Sequence, residues 1–303
     1  MTIDQNVILT EKHINDEIDT MEEMREAAGH PLISVVVTTY NRPQALELCL
    51  WALSKQEFRN FEVVACDDGG EVPHMALARH EHELPDLKYV RQRDDGFRLA
   101  ASRNNGIRLS RGEACLFLDG DVLLNPGALG AYAAAMERFD NQVAMAGRYR
   151  NLSPRMTATL MSASCPRHFG TWEAWADAED AKDIRDQLHP ESRVFEDDVL
   201  VSDPFGAIGG NVLYPRWMLD EVGLFDEDFV GYGCEDGELC YRRHRAGHKV
   251  WFEEGAWGLH LAHDRSHVAG GDAATRDVLY RKHPELRPED LNPEFPKETE
   301  AAG

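Results

Sequence analysis

The sequence lacks a long hydrophobic run. None of its apolar stretches approaches the roughly 20 residues that a membrane-spanning helix needs, so we expect no integral membrane segment. The first residues include Asp4 and Glu11, where a signal peptide would carry a basic start followed by an apolar stretch. From these absences we expect a cytoplasmic protein.

Cysteine is scarce, and its six positions show no CxxC spacing. Cys66 and Cys115 lie in apolar, strand-like runs, where a thiol behaves as a small core residue. We therefore expect neither a zinc site nor a disulfide framework. A GxGxxG loop is also missing, which leaves a nicotinamide-binding function with little support.

Positive charge is scarce as well. Lys and Arg total 32 against 54 Asp and Glu, which gives a formal net charge of -22. Such a chain repels nucleic acid and anionic membrane surfaces, so we expect neither as a partner. An acidic protein can bind an anionic diphosphate only where a metal ion and a few arginines reverse the local charge.

The first half of the chain alternates between strand-like and helical patterns. Apolar and β-branched runs predict strands at 33–39, 61–66, 87–92 and 114–118, and apolar spacing predicts helices at 43–54, 73–80 and 99–109. This alternation predicts an α/β fold whose mostly parallel central sheet is flanked by helices. Ligands of such a sheet bind beyond the C-terminal ends of its strands.

Polar clusters follow three of these strands. They are Thr-Thr-Tyr-Asn-Arg-Pro at 38–43, Asp67-Asp68-Gly69, and Asp119-Gly120-Asp121. One such cluster is ordinary turn chemistry, whereas three at one sheet edge predict a binding site. Two carboxylates at the end of a buried strand are hard ligands that suit Mg²⁺ or Mn²⁺ against substrate phosphates. Asp67 or Asp68 is a candidate to bind a base or ribose.

The segments at 35–43, 63–70 and 117–121 together resemble the family-2 glycosyltransferases of the GT-A fold, a Rossmann-like fold. The resemblance covers roughly residues 31–265. It implies that Asp119 and Asp121 form a DXD motif that places a divalent metal, Mn²⁺ or Mg²⁺, on the diphosphate of a sugar nucleotide. It also implies that the sugar nucleotide contacts Thr39, Tyr40, Arg42, Asp67, Asp68, Arg98, Arg103, Asn104, Asp119 and Gly120.

Acceptor-side residues are predicted in the second half. Gly209 and Gly210 interrupt an apolar segment, where they either allow close approach to a ligand or form a bulge in a strand. Glu235 and Asp236 open a predicted helix, a position where the helix dipole favours acidic residues in any case. The segment around them resembles the Gly-Glu-Asp motif of β-1,4-galactosyltransferases, chondroitin-polymerase-like enzymes and polypeptide N-acetylgalactosaminyltransferases.

This second resemblance implies inverting transfer, with Asp236 as the base and Glu235 as a binder of substrate hydroxyls, although the two roles can be exchanged. Direct displacement needs one base for the attacking hydroxyl and one Lewis acid for the leaving diphosphate. The family commonly adds a histidine to the metal, and imidazole suits Mn²⁺ better than Ca²⁺. The implied metal ligands are Asp121, Asp119, His260 and His263, with His267 less favoured; Gly209 and Gly210 are assigned to the donor, and Tyr232 and Trp217 to the acceptor.

The predicted organisation is one domain in two halves, a nucleotide-sugar-binding half at 31–125 and an acceptor-binding and catalytic half at 126–268. An acidic helical extension is predicted at 1–30 and an acidic tail at 269–303. Residues 148–201 are predicted to form a lid or insertion. Within it, Trp172 and Trp175 either stack on sugar or form the core of a small helical layer.

The sequence therefore predicts a metal-dependent inverting enzyme that moves galactose, N-acetylgalactosamine or glucose from a UDP-sugar to a hydroxyl or another nucleophile. The acceptor is left open between a glycan, a lipid-linked sugar, a peptide side chain and a small metabolite. One alternative is a non-catalytic nucleotide- or carbohydrate-binding protein of the same fold. Another is a GT-A nucleotidyltransferase, which is disfavoured because residues 40–43 read Tyr-Asn-Arg-Pro and not a Gly-rich basic loop.

Overall fold

The computed structural model of the chain describes residues 8–10, 31–162, 172, 207, 209–263 and 271–286. Nine described strands form one sheet: β1 (Ile8–Thr10), β2 (Ile33–Thr39), β3 (Phe61–Asp67), β4 (Leu87–Arg91), β5 (Ala114–Asp119), β6 (Val122–Leu124), β7 (Ala144–Asn151), β8 (Asn211–Pro215) and β9 (Val250–His260). The described helices are α1 (Pro43–Ser54), α2 (His74–His80), α3 (Leu99–Leu109), α4 (Ala128–Arg138), α5 (Pro154–Ser162), α6 (Arg216–Val222), α7 (Glu235–Arg245) and α8 (Gly271–Lys282). None of them is long and apolar enough to cross a membrane.

The strand order across the sheet is β1-β4-β3-β2-β5-β8-β7-β9-β6. All pairs from β1 to β5 in this order are parallel. Beyond β5 the sheet is mixed: β8 is antiparallel to β5 and β7, β7 is parallel to β9, and β6 is antiparallel to β9. The prediction of an α/β fold with a mostly parallel central sheet is confirmed.

Both faces of the parallel strands are buried, which explains why their sequences are continuous apolar runs. Because side chains alternate between the two faces of a strand, Val35 and Val37 join a larger apolar core with α1, α2 and α4. Val36 points to the other face and joins a second core with α3, α6 and α7. Helix α1 begins at Pro43, whose ring suits the first turn of a helix.

The register of the parallel strands aligns their C-terminal ends. Thr38 of β2 pairs with Asp119 of β5, and Thr39 pairs with Asp67 of β3. The three polar clusters therefore lie at one edge of the sheet, where open α/β sheets bind their ligands. Gly120 turns the chain at this edge, and its N–H donates to the Thr38 carbonyl oxygen (2.9 Å).

Strand β9 is longer than the sequence pattern indicated. The strand-like pattern covers 249–252, and Glu253-Glu254-Gly255 follows it. The structure continues β9 to His260, since backbone pairing with β7 and β6 does not depend on an apolar side chain at every position. In this register His260 pairs with Val122, next to Asp121.

The N-terminal and central segments differ from the predicted organisation. Ile8–Thr10 is a strand parallel to β4 and not part of a helix, because its short apolar sequence pairs with the open edge of that strand. The predicted insertion at 148–201 begins with the end of β7 and with α5. Trp172 stacks on Trp51 of α1, with ring centroids 5.6 Å apart, which supports a core role and not a sugar platform. Residues 173–201, with Trp175, lie outside the described chain.

Helix α8 lies within the segment that was predicted to be an acidic tail from residue 269. Leu279 is buried against Phe229, Cys234 and Tyr241, so this helix packs on the element that carries Glu235. Thr275 Oγ1 also donates to the Tyr232 carbonyl oxygen (3.0 Å). The many charged residues of this segment gave no clear sequence pattern for a helix, because only a few of its side chains are apolar and packed.

Replacing Leu279 by Ala should lower the free energy of unfolding by about 2–5 kcal/mol, because it removes a buried side chain and leaves a cavity. Urea denaturation of the full chain measures this change. Asp277→Ala, at an exposed position of the same helix, is the control and should change stability by less than about 0.5 kcal/mol. Equal effects of the two substitutions would show that α8 does not pack on the body of the protein.

Candidate active site

One carboxylate and two imidazoles lie together where β6 meets β9. His260 Nε2 is 3.5 Å from Asp121 Oδ1, and His263 Nε2 is 3.5 Å from Asp121 Oδ2. Ligand atoms from the three side chains all lie within 4.8 Å of one another. The end of the β6–β9 ladder produces this arrangement, because Leu261 N donates to the Asp121 carbonyl oxygen (2.9 Å). His267 lies outside the described residues.

The chemistry of this set fits a divalent cation. A carboxylate oxygen is a hard ligand, and imidazole is a common ligand of transition metals. Asp121 and His260 are buried and His263 is half-buried, so an ion here would be partly shielded from water. The His260 ring also contacts the Tyr149 ring, with centroids 5.5 Å apart, which holds the imidazole in place.

Arg42 brings a positive charge to the same carboxylate. Its Nη1 is 2.8 Å from Asp121 Oδ2, and it immediately precedes α1 at the C-terminal edge of the sheet. A cavity of about 160 Å³ lies beside this pair. Its lining includes Asn41, Gln44, Met161 and His263. Arg42 therefore compensates the negative charge of Asp121.

Asp119, at the end of β5, touches residues from both halves of the chain. Its Oδ1 accepts hydrogen bonds from Arg103 Nη2 (3.3 Å) and Thr38 Oγ1 (3.5 Å). Gly210 packs against the carboxylate so closely that a Cβ at position 210 would overlap it. The sequence argument that two glycines allow close approach therefore applies here, although the neighbour is Asp119 itself. The cluster around Asp121 does not include Asp119, whose metal role stays a prediction.

Glu235 is buried in the first turn of α7. Its Oε1 accepts a hydrogen bond from Arg103 Nη1 (2.8 Å), whereas its Oε2 has no hydrogen-bond partner among the described residues. Burial, and then the neighbouring charge of Asp236, raise the pKa of Glu235 to about 7, although Arg103 opposes this shift. Glu235 is therefore a carboxyl group that titrates near neutral pH.

Asp236 faces a more open environment than Glu235. Its Oδ2 accepts a hydrogen bond from Gly209 N (2.8 Å) and its Oδ1 accepts one from Gly237 N (2.7 Å). The backbone of Gly209 has a φ of +93°, a conformation that glycine adopts without strain. Asp236 and Gly209 border a small cavity of about 10 Å³, together with Arg103. The structure thus joins Gly209, Gly210, Asp119, Glu235 and Asp236 in one site.

Asp67 and Asp68 lie at the predicted edge but are held by the protein itself. Asp67 accepts hydrogen bonds from Tyr89 Oη (2.8 Å) and Gly70 N (2.6 Å). Asp68 accepts them from Gln92 and from Arg98 N (2.8 Å). Burial is the largest influence on both carboxyl groups and raises the pKa of each. Their contact with a nucleotide stays a prediction.

Three of the predicted donor contacts at this edge, Thr39, Tyr40 and Arg98, are at least partly exposed. Tyr40 is exposed, and its hydroxyl donates to Asp94 Oδ2 (3.5 Å). The Arg98 guanidinium donates to the Arg93 carbonyl oxygen, and Thr39 is half-buried beside them. Their contact with a donor stays a prediction.

Two predicted residues are not brought to the site. Asn104 is buried and uses its amide to bind the backbone of Phe225 and the Glu227 side chain. Trp217 follows Pro215, which pairs with Ala114 at the end of β5 opposite to Asp119. Its indole donates to the Asn141 carbonyl oxygen (2.8 Å).

Three residues near the site were missed at the level of sequence. Tyr89, in the middle of β4, holds Asp67, and Gln92, directly after β4, holds Asp68. Phe97 was missed as the neighbour of Tyr232, with ring centroids 6.0 Å apart. Both rings are partly exposed beside the segment that leads into Glu235.

The fold and the site define a class: an α/β protein with a carboxylate-rich C-terminal sheet edge and a candidate metal cluster. The family model described as Glycosyl transferase family 2 matches residues 34–195, more than half of the chain. The chain therefore belongs to glycosyl transferase family 2. This result confirms the family that the sequence resembled.

One similar curated protein is the validoxylamine A glucosyltransferase of Streptomyces hygroscopicus subsp. jinggangensis (strain 5008), with 34% identity over 275 residues. The match covers 88% of this chain and 64% of the relative, so the chain spans somewhat less than two thirds of that protein's length.

Two solved structures share the fold. S. aureus TarS 1–349 in complex with UDP-GlcNAc has a TM-score of 0.58 and 18% identity, covering 78% of this chain and 60% of TarS 1–349. GalNAc-T7 with UDP, GalNAc and Mn²⁺ has a TM-score of 0.53 and 18% identity. The match covers 77% of this chain and 44% of the GalNAc-T7 chain. Identities this low establish the fold alone, and the predicted GT-A fold is confirmed.

Glu235 should make folding stability depend on pH. Its pKa is raised from 4.5 to about 7, so the folded protein holds a proton that the unfolded chain releases between these values. The stabilisation is complete below pH 4.5 and is lost as the pH rises through about 7. Between pH 5 and 8, Glu235→Gln should flatten the fall in unfolding free energy by on the order of 1–3 kcal/mol.

Urea denaturation at several pH values measures this difference. Glu71→Gln, at an exposed position, controls for the loss of one negative charge from the chain. Parallel stability curves for the wild type and Glu235→Gln would contradict the raised pKa.

Proposed function

We propose that this protein is a metal-dependent, inverting glycosyltransferase that moves a hexose from a UDP-sugar to an acceptor hydroxyl. The observation that carries the proposal is the juxtaposition of two carboxylate motifs at one sheet edge. Arg103 contacts Asp119 on one side and Glu235 on the other, at 3.3 and 2.8 Å. A candidate metal cluster lies two residues from Asp119, at Asp121.

In the proposed reaction, Asp121, His260 and His263 would hold a divalent cation, Mn²⁺ or Mg²⁺. When bound, the ion supplies a Lewis acid for the charge that develops on the leaving diphosphate. Arg42, which contacts Asp121, adds a positive charge that also favours an anionic ligand. A chain with a net charge of -22 needs such a local reversal of charge to bind a diphosphate.

Asp236 is the proposed base that takes the proton from the attacking hydroxyl. It is more exposed than Glu235, and its two backbone hydrogen bonds fix the direction of the carboxylate. Glu235 is buried and engaged with Arg103, which suits a residue that orients substrate hydroxyls or the base. Tyr232 is proposed to contact the acceptor, since its ring is partly exposed four residues before Asp236.

The similar proteins support the donor class. The names of two of them include a glucosyltransferase and a complex with UDP-GlcNAc, and a third was solved with UDP, GalNAc and Mn²⁺. We therefore propose a UDP-linked glucose, galactose or N-acetylhexosamine as the donor. The proposed acceptor is a hydroxyl of a glycan, a lipid-linked sugar, a peptide or a small metabolite.

The donor and metal can be tested together. The protein is incubated with a panel of nucleotide sugars in Mn²⁺, in Mg²⁺ or in EDTA, and release of the nucleoside diphosphate is measured. We expect release from at least one UDP-sugar with Mn²⁺ and none in EDTA. Asp121→Asn and His260→Gln should lower the activity at limiting Mn²⁺, whereas His248→Gln, at a site that contacts Glu221, should not.

Activity that persists after complete metal removal would contradict the metal role. Failure to bind or cleave any sugar nucleotide would contradict the proposed function. Formation of a sugar nucleotide from a sugar phosphate and a nucleoside triphosphate would identify a nucleotidyltransferase instead.

Asp236→Asn should lower kcat by about 10²–10⁴, because it removes the proposed base while keeping the size of the side chain. Binding of UDP with Mn²⁺, measured by calorimetry, should stay within about threefold of the wild type. Asp277→Asn, on the exposed face of α8, is the matched control. Unchanged turnover in Asp236→Asn would exclude Asp236 as the base, and NMR of the product anomer would test inversion.

A further inference from the structure

Arg103 is a buried cation between the two carboxylate motifs. It lies in the middle of α3 and is only 3% exposed. Its partners come from distant parts of the chain: Asp119 is 16 residues away and Glu235 is 132 residues away. A buried arginine that binds carboxylates from two separate elements fixes those elements relative to each other.

The Arg103 guanidinium has protein contacts on several sides. Nη1 donates to Glu235 Oε1 (2.8 Å), and Nη2 donates to Asp119 Oδ1 (3.3 Å). The Phe225 ring lies 5.1 Å from its Cζ, within the range of a cation–π contact. Little of the side chain is left to meet a donor, which differs from its implied role as a nucleotide-sugar contact.

We propose that Arg103 is a positioning residue that couples the donor-side motif at Asp119 to the acceptor-side motif at Glu235 and Asp236. This inference rests on the proposed glycosyl transfer. Arg103 holds Glu235, and through the adjoining first turn of α7 it sets the place of Asp236. Asp236 also accepts a hydrogen bond from Gly209 N, and Asp119 packs on Gly210. Both motifs therefore contact the same pair of neighbouring glycines.

The charge of Arg103 is needed as much as its shape. Burial is the largest single influence on the Arg103 guanidinium and lowers its pKa, but the charges of Glu235, Asp119 and Asp236 together outweigh burial, so the pKa is raised. Removing the Arg103 guanidinium would leave the carboxylates of Asp119 and Glu235 without the cation that compensates them. A lysine keeps the charge but presents one ammonium group, which cannot reproduce the fork that reaches two carboxylates.

The test uses the full chain with Arg103→Gln, Arg103→Lys, Glu235→Gln and the double variant Arg103→Gln/Glu235→Gln. Arg108→Gln, on the same helix and more exposed, is the control. If Arg103 acts through Glu235, Arg103→Gln should lower kcat by about 10–100-fold and change the donor KM by less than about threefold. Arg103→Lys should recover part of kcat, and the effects in the double variant should be less than multiplicative.

Two measurements do not depend on turnover. Hydrogen exchange by mass spectrometry should show faster exchange in peptides that cover 209–212 and 234–240 in Arg103→Gln, but not in Arg108→Gln. Calorimetry should show that UDP binds Arg103→Gln with Mn²⁺ within about threefold of its affinity for the wild type.

The outcomes separate this proposal from the proposed function. A donor KM or a UDP dissociation constant raised more than tenfold, with kcat unchanged, would overturn it and make Arg103 a donor contact. Unchanged hydrogen exchange in Arg103→Gln would overturn it as well. If the wild type transfers no sugar, the proposed function fails, while hydrogen exchange still decides whether Arg103 positions the Glu235 segment.

Discussion

Repulsion between carboxylates is the constraint on which the site depends. Asp119, Asp121, Glu235 and Asp236 lie at one edge of a sheet in a chain whose net charge is -22. Like charges this close raise the cost of ionising one another unless cations compensate them. Arg103 lies between Asp119 and Glu235, and Arg42 contacts Asp121. Two arginines compensate only part of the charge of the four carboxylates, and a bound divalent cation would compensate more of it at the point where the imidazoles of His260 and His263 approach Asp121.

The sheet makes this arrangement possible through register. Parallel pairing of β2 with both β3 and β5 fixes three polar clusters at one edge of the sheet. Gly209 and Gly210 directly precede β8, which is antiparallel to β5, so they lie at the same edge. The β6–β9 ladder then delivers His260 beside Asp121. Backbone hydrogen bonds supply this alignment, so side chains from distant parts of the sequence meet at one edge of the sheet.

Much of the parallel half could be predicted from sequence, because local patterns determine it. The bounds of α1 and α3 match those of the predicted helices, and the polar strand ends identified the rim. The failures share a different cause, which is long-range contact. Ile8–Thr10 becomes a strand only because β4 offers an open edge, and α8 forms a buried contact through Leu279 within a charged sequence. Trp217, which was assigned to the acceptor, follows β8, whose antiparallel pairing with β5 ends at the side of the sheet opposite to Asp119.

The neighbouring residues Glu235 and Asp236 differ in burial, which the sequence alone does not show. Both residues are acidic and both lie in the first turn of α7, where a helix dipole favours either of them. Glu235 points into the protein, contacts Arg103 and has a pKa raised to about 7 by burial first and by Asp236 second. Asp236 points toward Gly209 and the small cavity. A buried carboxyl held by an arginine suits positioning, and a more exposed carboxylate held by two backbone N–H groups suits proton transfer, which is why we propose Asp236 and not Glu235 as the base.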